Sequence, residues 1–161
     1  SNTGQDGDIQ AGVAWPTPRF QNNGNGTITD NLTGLIWLKN ANCYGWHANG
    51  DPSGLSWAPS LSVANELENG ECGLTDGSVA GEWRLPNVVE LESLIVHAGL
   101  SDSTNWLIGQ GFTNVGEKYW SSTTAKDSPD NAWVVTMGGT VYKLDKEANV
   151  STYHWPVRGG N

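Results

Sequence analysis

The histidines, acids, cysteines and aromatic side chains carry whatever chemistry this chain can do. Its three histidines are His47, His97 and His154. None stands at motif spacing from both an acid and a nucleophile, and no G-x-S-x-G, H-E-x-x-H or phosphate-loop string is present. His97 falls near the end of a helical pattern, where a cation suits the helix dipole. Gly109-Gln110-Gly111 lacks the rest of a dinucleotide fingerprint. The chain therefore reads as a binding module and not as an enzyme. Asp127, Asp130 and Asn131 share one polar loop and offer hard oxygen ligands. Calcium is the cation such a set would take; solvated loop acids are the alternative. Residues 21–32 carry Asn23, Asn25 and Asp30, but Gln21 and Leu32 stand where an EF-hand needs its first acid and its last glutamate. Two Asn-Gly turns explain that string better.

Nine tryptophans invite a carbohydrate reading, because aromatic faces stack on sugar rings. Trp37, Trp83, Trp120, Trp133 and Trp155 lie inside strand or motif words and are expected in the core. Trp46 and Trp106 lie in expected loops and are the better ligand candidates. The last third supplies a denser set: Tyr142, Lys143, Asp145, Asn149, Ser151 and Tyr153. Tyr, Asn and Ser on a rigid frame combine large low-entropy contact area with adaptable hydrogen bonding. Alternate residues of a strand leave the core together, so these strands are expected to present a ligand face. An ordinary solvated sheet face is the plain alternative.

Seventeen acids against eight bases give a net charge of −9. Such a chain repels phosphate backbones and anionic lipid, so nucleic acid is not an expected partner. The longest uninterrupted apolar run, residues 35–38, is far short of a membrane span. The two cysteines, Cys43 and Cys72, have no CxxC and no His pair at metal spacing beside them. One disulfide is the preferred reading over two buried thiols. It would close a loop of about thirty residues, worth roughly 3–4 kcal/mol. It also implies an oxidising compartment: medium, cell surface or periplasm.

Several elements must position these residues. Residues 1–18 read as an N-terminal arm, with Trp15 available to pack onto the body, and residues 19–161 as one domain. Asn23-Gly24 and Asn25-Gly26 mark a hairpin. Residues 34–38 read as a buried strand. Residues 56–67 read as a helix with Ser56 as N-cap, Pro59 in the first turn and Gly70 as the stop. A second helix opens on Asn87, with Glu90 three residues on in a capping-box pattern. Leu91, Leu94, Ile95 and Ala98 recur at helical spacing, and Gly99 ends the run. Strands follow around residues 119–122, 132–137, 141–144 and 153–157, with Gly138-Gly139 linking two of them. The order predicts an α+β domain: a largely antiparallel sheet with two helices.

Five strings in order carry a resemblance. They are Val13-Ala14-Trp15-Pro16 with Pro18-Arg19-Phe20; the run from Asn23-Gly24 to Gly34-Leu35-Ile36-Trp37; Trp83-Arg84-Leu85-Pro86-Asn87 with Glu90-Leu91; Tyr119-Trp120-Ser121-Ser122; and Trp155-Pro156-Val157-Arg158-Gly159-Gly160. The chain resembles the Lcl C-terminal-domain family, whose namesake domain ends a bacterial collagen-like surface adhesin. Its element order resembles the C-type-lectin-like fold, in which the two chain ends meet in one sheet. The resemblance implies a secreted or surface-displayed, non-catalytic recognition domain for a glycan or a surface protein. The alternative it implies is an assembly module, a homotrimer at the end of a stalk. The namesake binds sulfated polysaccharides, whereas the bases here are scattered from Arg19 to Arg158 with no cluster, so the sulfated ligand is not carried over. The calcium words of sugar-binding C-type lectins are also absent. Leu85-Pro86-Asn87 lacks the acid and precedes a helix.

Overall fold

A computed structural model describes residues 15–43, 55–95, 101–148 and 151–159. The Asn-Gly words form the first hairpin. Strands β1 (Phe20–Asn22) and β2 (Thr27–Asp30) pair antiparallel across them. Only the glycines take positive φ, Gly24 at 74° and Gly26 at 86°. Asn22 and Asn25 contribute side-chain oxygens instead, which accept from the Gly24 and Thr27 N–H groups respectively. Strand β3 (Ile36–Leu38) pairs with β2, and the C-terminal β7 (Val157–Arg158) pairs with β3. The first hairpin and the chain's last strand thus share one four-stranded sheet, as the resemblance implies.

A second, separate sheet holds β4 (Lys118–Thr124), β5 (Asn131–Thr136) and β6 (Val141–Asp145). Gly139, at φ 91°, turns β5 into β6. Two antiparallel sheets therefore replace the one expected. The strand expected at 153–157 shrinks to Val157–Arg158, because Pro156 has no N–H for a ladder. Tyr153 makes only an isolated bridge with Tyr119.

Three helices are described, one more than the sequence pattern predicts. Helix α1 (Trp57–Glu66) carries Pro59 in its first turn. It stops at Leu67, whose backbone is extended and whose side chain is fully buried, three residues before Gly70. Helix α2 (Val88–Ile95) opens with the capping box in full: the Asn87 N–H donates to Glu90 Oε1 and the Glu90 N–H to Asn87 Oδ1, each at 2.8 Å. Its expected end at Gly99, with His97 and Ala98, lies outside the described residues. Helix α3 (Thr104–Gly109) is too short to show an apolar period, which is why its sequence reads as turns.

The core is built on tryptophan. Trp37, Trp83, Trp120 and Trp155 are fully buried. Trp155 gathers Trp37, Phe112 and Tyr119 at ring distances of 5.4, 5.0 and 5.1 Å. Trp133 departs from the expectation. It alternates with the buried Ala132 and Val134, so the pleat turns it to the other side of β5, where it is half-buried. Below the first hairpin Arg19 is buried in an ion pair with Asp30 at 3.2 Å. Its guanidinium lies 4.6 Å from the Trp15 ring, which itself packs on Trp106. No described helix is long and apolar enough to cross a membrane.

Candidate functional site

Four segments far apart in sequence converge beside the first hairpin. Gly26 lies so close to the 71–74 loop that a Cβ on it would come within 2.5 Å of the Gly73 carbonyl. The Thr75 N–H donates to the Asn25 carbonyl at 3.0 Å. The Lys39 N–H donates to the Gly26 carbonyl at 2.9 Å, and the Lys39 carbonyl accepts from Thr113 N–H at 2.9 Å. Cys43 and Cys72 form the expected disulfide, with Cα atoms 5.8 Å apart. These ties enclose a groove of about 880 Å³ walled by the disulfide, by Asn22, Lys39 and Asn40, and by Glu71 and Thr113. That volume lies within the ~300–1,000 Å³ of typical ligand clefts.

A smaller depression of about 250 Å³ adjoins it, walled by Asn42, Asn114, Glu117, Ser151 and Tyr153. The boundary is a hydrogen bond from Asn114 Nδ2 to Asn40 Oδ1 at 3.0 Å: Asn40 lines one hollow and Asn114 the other. Gly116 is glycine because a Cβ there would come within 2.8 Å of the Tyr153 ring. Backbone strain collects in the same place. Among the described residues the non-glycine positions with positive φ are Cys72 (49°), Asn114 (54°) and Ser151 (37°). All three line these two hollows. Strained backbone persists only where surrounding structure over-determines it, and it clusters at ligand sites.

The polar groups of the larger groove are oriented by main chain. Asn22 Oδ1 accepts from the Gly24 N–H at 3.0 Å, and Asn40 Oδ1 from the Asn42 N–H at 3.2 Å. Each amide therefore keeps its NH2 end unengaged among the described residues. One oxygen of Glu71 accepts from the Glu68 N–H at 3.2 Å. Such a wall can hold a polar ligand by hydrogen bonds.

The residues singled out from sequence are not gathered on one surface. Tyr142 packs against the smaller core cluster of Ala64, Leu85, Trp120 and Val134. Lys143, next along β6, points to the opposite side, ion-paired with Asp127 and 5.4 Å from the Trp133 ring. Asp145 is exposed, its carboxylate accepting from the Glu147 N–H. Trp106 packs 5.7 Å from Phe20. Ser151 and Tyr153 do share a hollow, the smaller of the two. Trp46 and Asn149 lie outside the described residues. In the loop offered to calcium one carboxylate is ion-paired, that of Asp127 with Lys143. The Lys143 ammonium, hydrogen-bonded to Asp127, holds that carboxyl below its usual range. The main chain of Asp130 and Asn131 is tied into the β5–β6 ladder. Among the described residues no group of three or more His, Cys, Asp or Glu side chains is placed for a metal. Lys39, Asn40, Glu71 and Thr113 went unread in the sequence. Their one local signal is the crowding of asparagines just before Cys43, in Asn40-Ala41-Asn42.

A family model, the Lcl C-terminal domain, matches residues 26–158, a span that contains most of the groove and all of the smaller hollow. No curated protein and no solved structure matches the chain.

Proposed function

The chain belongs to the Lcl C-terminal domain family, and from that footing we propose that it is a lectin-like recognition domain displayed outside the cell. It binds a glycan or a surface protein in the groove between the first hairpin and the disulfide loop, without making or breaking bonds in it. One observation carries this reading: four distant segments are locked by a disulfide, a glycine–glycine contact and main-chain hydrogen bonds around a polar hollow. A wall held this rigidly has little order left to lose when a ligand arrives, which favours binding. The disulfide agrees with an oxidising compartment.

The test is to fill the groove. Thr113 is exposed on its wall, so Thr113→Trp places a large ring in the hollow. Binding to glycan-coated or cell-coated plates should fall to background, while circular dichroism and the melting temperature stay those of the parent. Undiminished binding by a folded Thr113→Trp protein removes the groove from the reading. Tyr142→Ala, on the core side of β6, is the control expected to keep any binding that survives the loss of its packing.

A further inference from the structure

The groove's hydrogen-bonding capacity is lopsided. With Asn22 Oδ1 and Asn40 Oδ1 both held by main-chain N–H groups, each amide is left with its two donors to offer. The Lys39 main chain is tied to Gly26 and Thr113, which leaves its side chain alone to reach the hollow. Among the described residues neither these amide nitrogens nor the Lys39 ammonium has a hydrogen-bond or ion-pair partner. The wall's one charged acceptor is Glu71, which keeps one carboxylate oxygen free of partners among the described residues.

Resting on the groove reading above, we infer that the ligand is a carboxylate-bearing sugar, a uronate unit of an oligosaccharide. Its carboxylate takes the Lys39 ammonium and the Asn22 and Asn40 amide donors, and its ring hydroxyls donate to Glu71. Charge-assisted hydrogen bonds of this kind are the strong ones. The choice of a sugar over an acidic peptide follows from the lining. Among the described residues its side chains are Lys39, Glu71, short amides, a hydroxyl and the disulfide between glycines, with no large apolar group to anchor a peptide side chain. The choice of a single carboxylate over a polyanion follows from charge. Lys39 and Glu71 cancel on the wall, and the chain as a whole carries −9.

The experiment follows the side-chain amide resonances of Asn22 and Asn40 in the whole chain. The probes are uronate trisaccharides of the galacto and gluco series, their methyl esters, and a sulfated neutral trisaccharide. A uronate should move both resonances and bind at least ~10-fold more tightly than its ester. Asn22→Asp and Asn40→Asp keep the oxygen that each turn needs and replace the outward donor by an acceptor. Each should weaken uronate binding by at least ~10-fold, as should Lys39→Gln, with Lys39→Arg restoring most of it. If ester and acid bind the groove equally, or the sulfated sugar binds as well as the uronate, the carboxylate inference falls and the recognition groove stands. The carboxylate inference falls in the same way if no sugar moves these amides, or an acidic peptide moves them instead, while adhesion still depends on Thr113. Only an adhesion assay indifferent to Thr113→Trp overturns the groove itself.

Discussion

In the β5–β6 hairpin Lys143 closes on Asp127 and Trp133, and Lys146 closes on the Trp57 ring and the Pro129 carbonyl. In the groove Lys39 has the same side chain and no such closure among the described residues. The hairpin is where the sequence looks most like a binding face, with Tyr, Lys, Asp and Asn in quick alternation. Folding turns these groups on one another: Tyr142 joins the core, Lys143 takes Asp127, and Asp145 caps its own turn. The groove is poorer in aromatic residues, yet it holds its amide oxygens on main chain and leaves the amide donors without a partner among the described residues. Exposure and residue type therefore do not mark a site here. Hydrogen-bonding capacity left unengaged on a rigid backbone does.

That contrast can be broken by loosening the groove. Replacing Cys43 and Cys72 together by alanine opens a loop of 29 residues and should cost about 3–4 kcal/mol in urea unfolding. Any ligand should be lost at denaturant levels the parent tolerates. Retained stability would mean that the disulfide is not what holds the wall. Gly26→Ala comes next. It meets both a positive φ and the Gly73 carbonyl, so a loss of roughly 2–4 kcal/mol is expected in the same measurement. Gly24→Ala shares the positive φ but meets nothing within 4 Å, and should cost clearly less.

The β4–β6 side sharpens the comparison with smaller effects. Helix α2 packs there, and its capping box contains Glu90. Burial would raise the Glu90 pKa, but the Arg84 hydrogen bond and the Asn87 N–H outweigh it and hold it below the ordinary glutamate value. A carboxyl depressed in the folded state stabilises it above the unfolded pKa, and that stability is lost as the pH falls through the folded value. The parent should therefore lose part of its advantage over Glu90→Gln as the pH drops below about 4.3, the usual glutamate pKa. Because the Arg84 side of the pair is open to solvent, the difference should be no more than about 1 kcal/mol. Denaturation midpoints at pH 7 and pH 3 measure it, and a gap that does not narrow would deny the ion pair its part in the cap. Smallest of all, Lys143→Gln should leave the melting temperature unchanged, since its partner Asp127 is solvent-exposed.

Much of the frame was legible without coordinates, for local reasons. A left-handed turn needs glycine, so Asn23-Gly24-Asn25-Gly26 announced its hairpin. A helix start needs acceptors for its free N–H groups, so Asn87 and Glu90 announced α2. Two cysteines without metal partners announced their bond. The likeness of the element order to a lectin-like fold implied the meeting of the chain's ends.

The tertiary structure alone decided the remainder. Whether Trp133 is core or surface depends on where Ala64 of α1, Leu85 and Trp120 come to pack, which is against Ala132 and Val134, and the strand's own pattern does not say. Among the described residues the last run touches both sheets, through the Tyr153–Tyr119 bridge before Pro156 and through β7 after it, and no local pattern says that two sheets form. The groove is the clearest case. Its walls come from residues 22–26, 39–43, 71–73 and 113; the first of these words announces only its own turns, and none carries a binding motif. A donor is left without a partner only when every other segment has found its place, and that is a property of the whole fold which no local string of residues can encode.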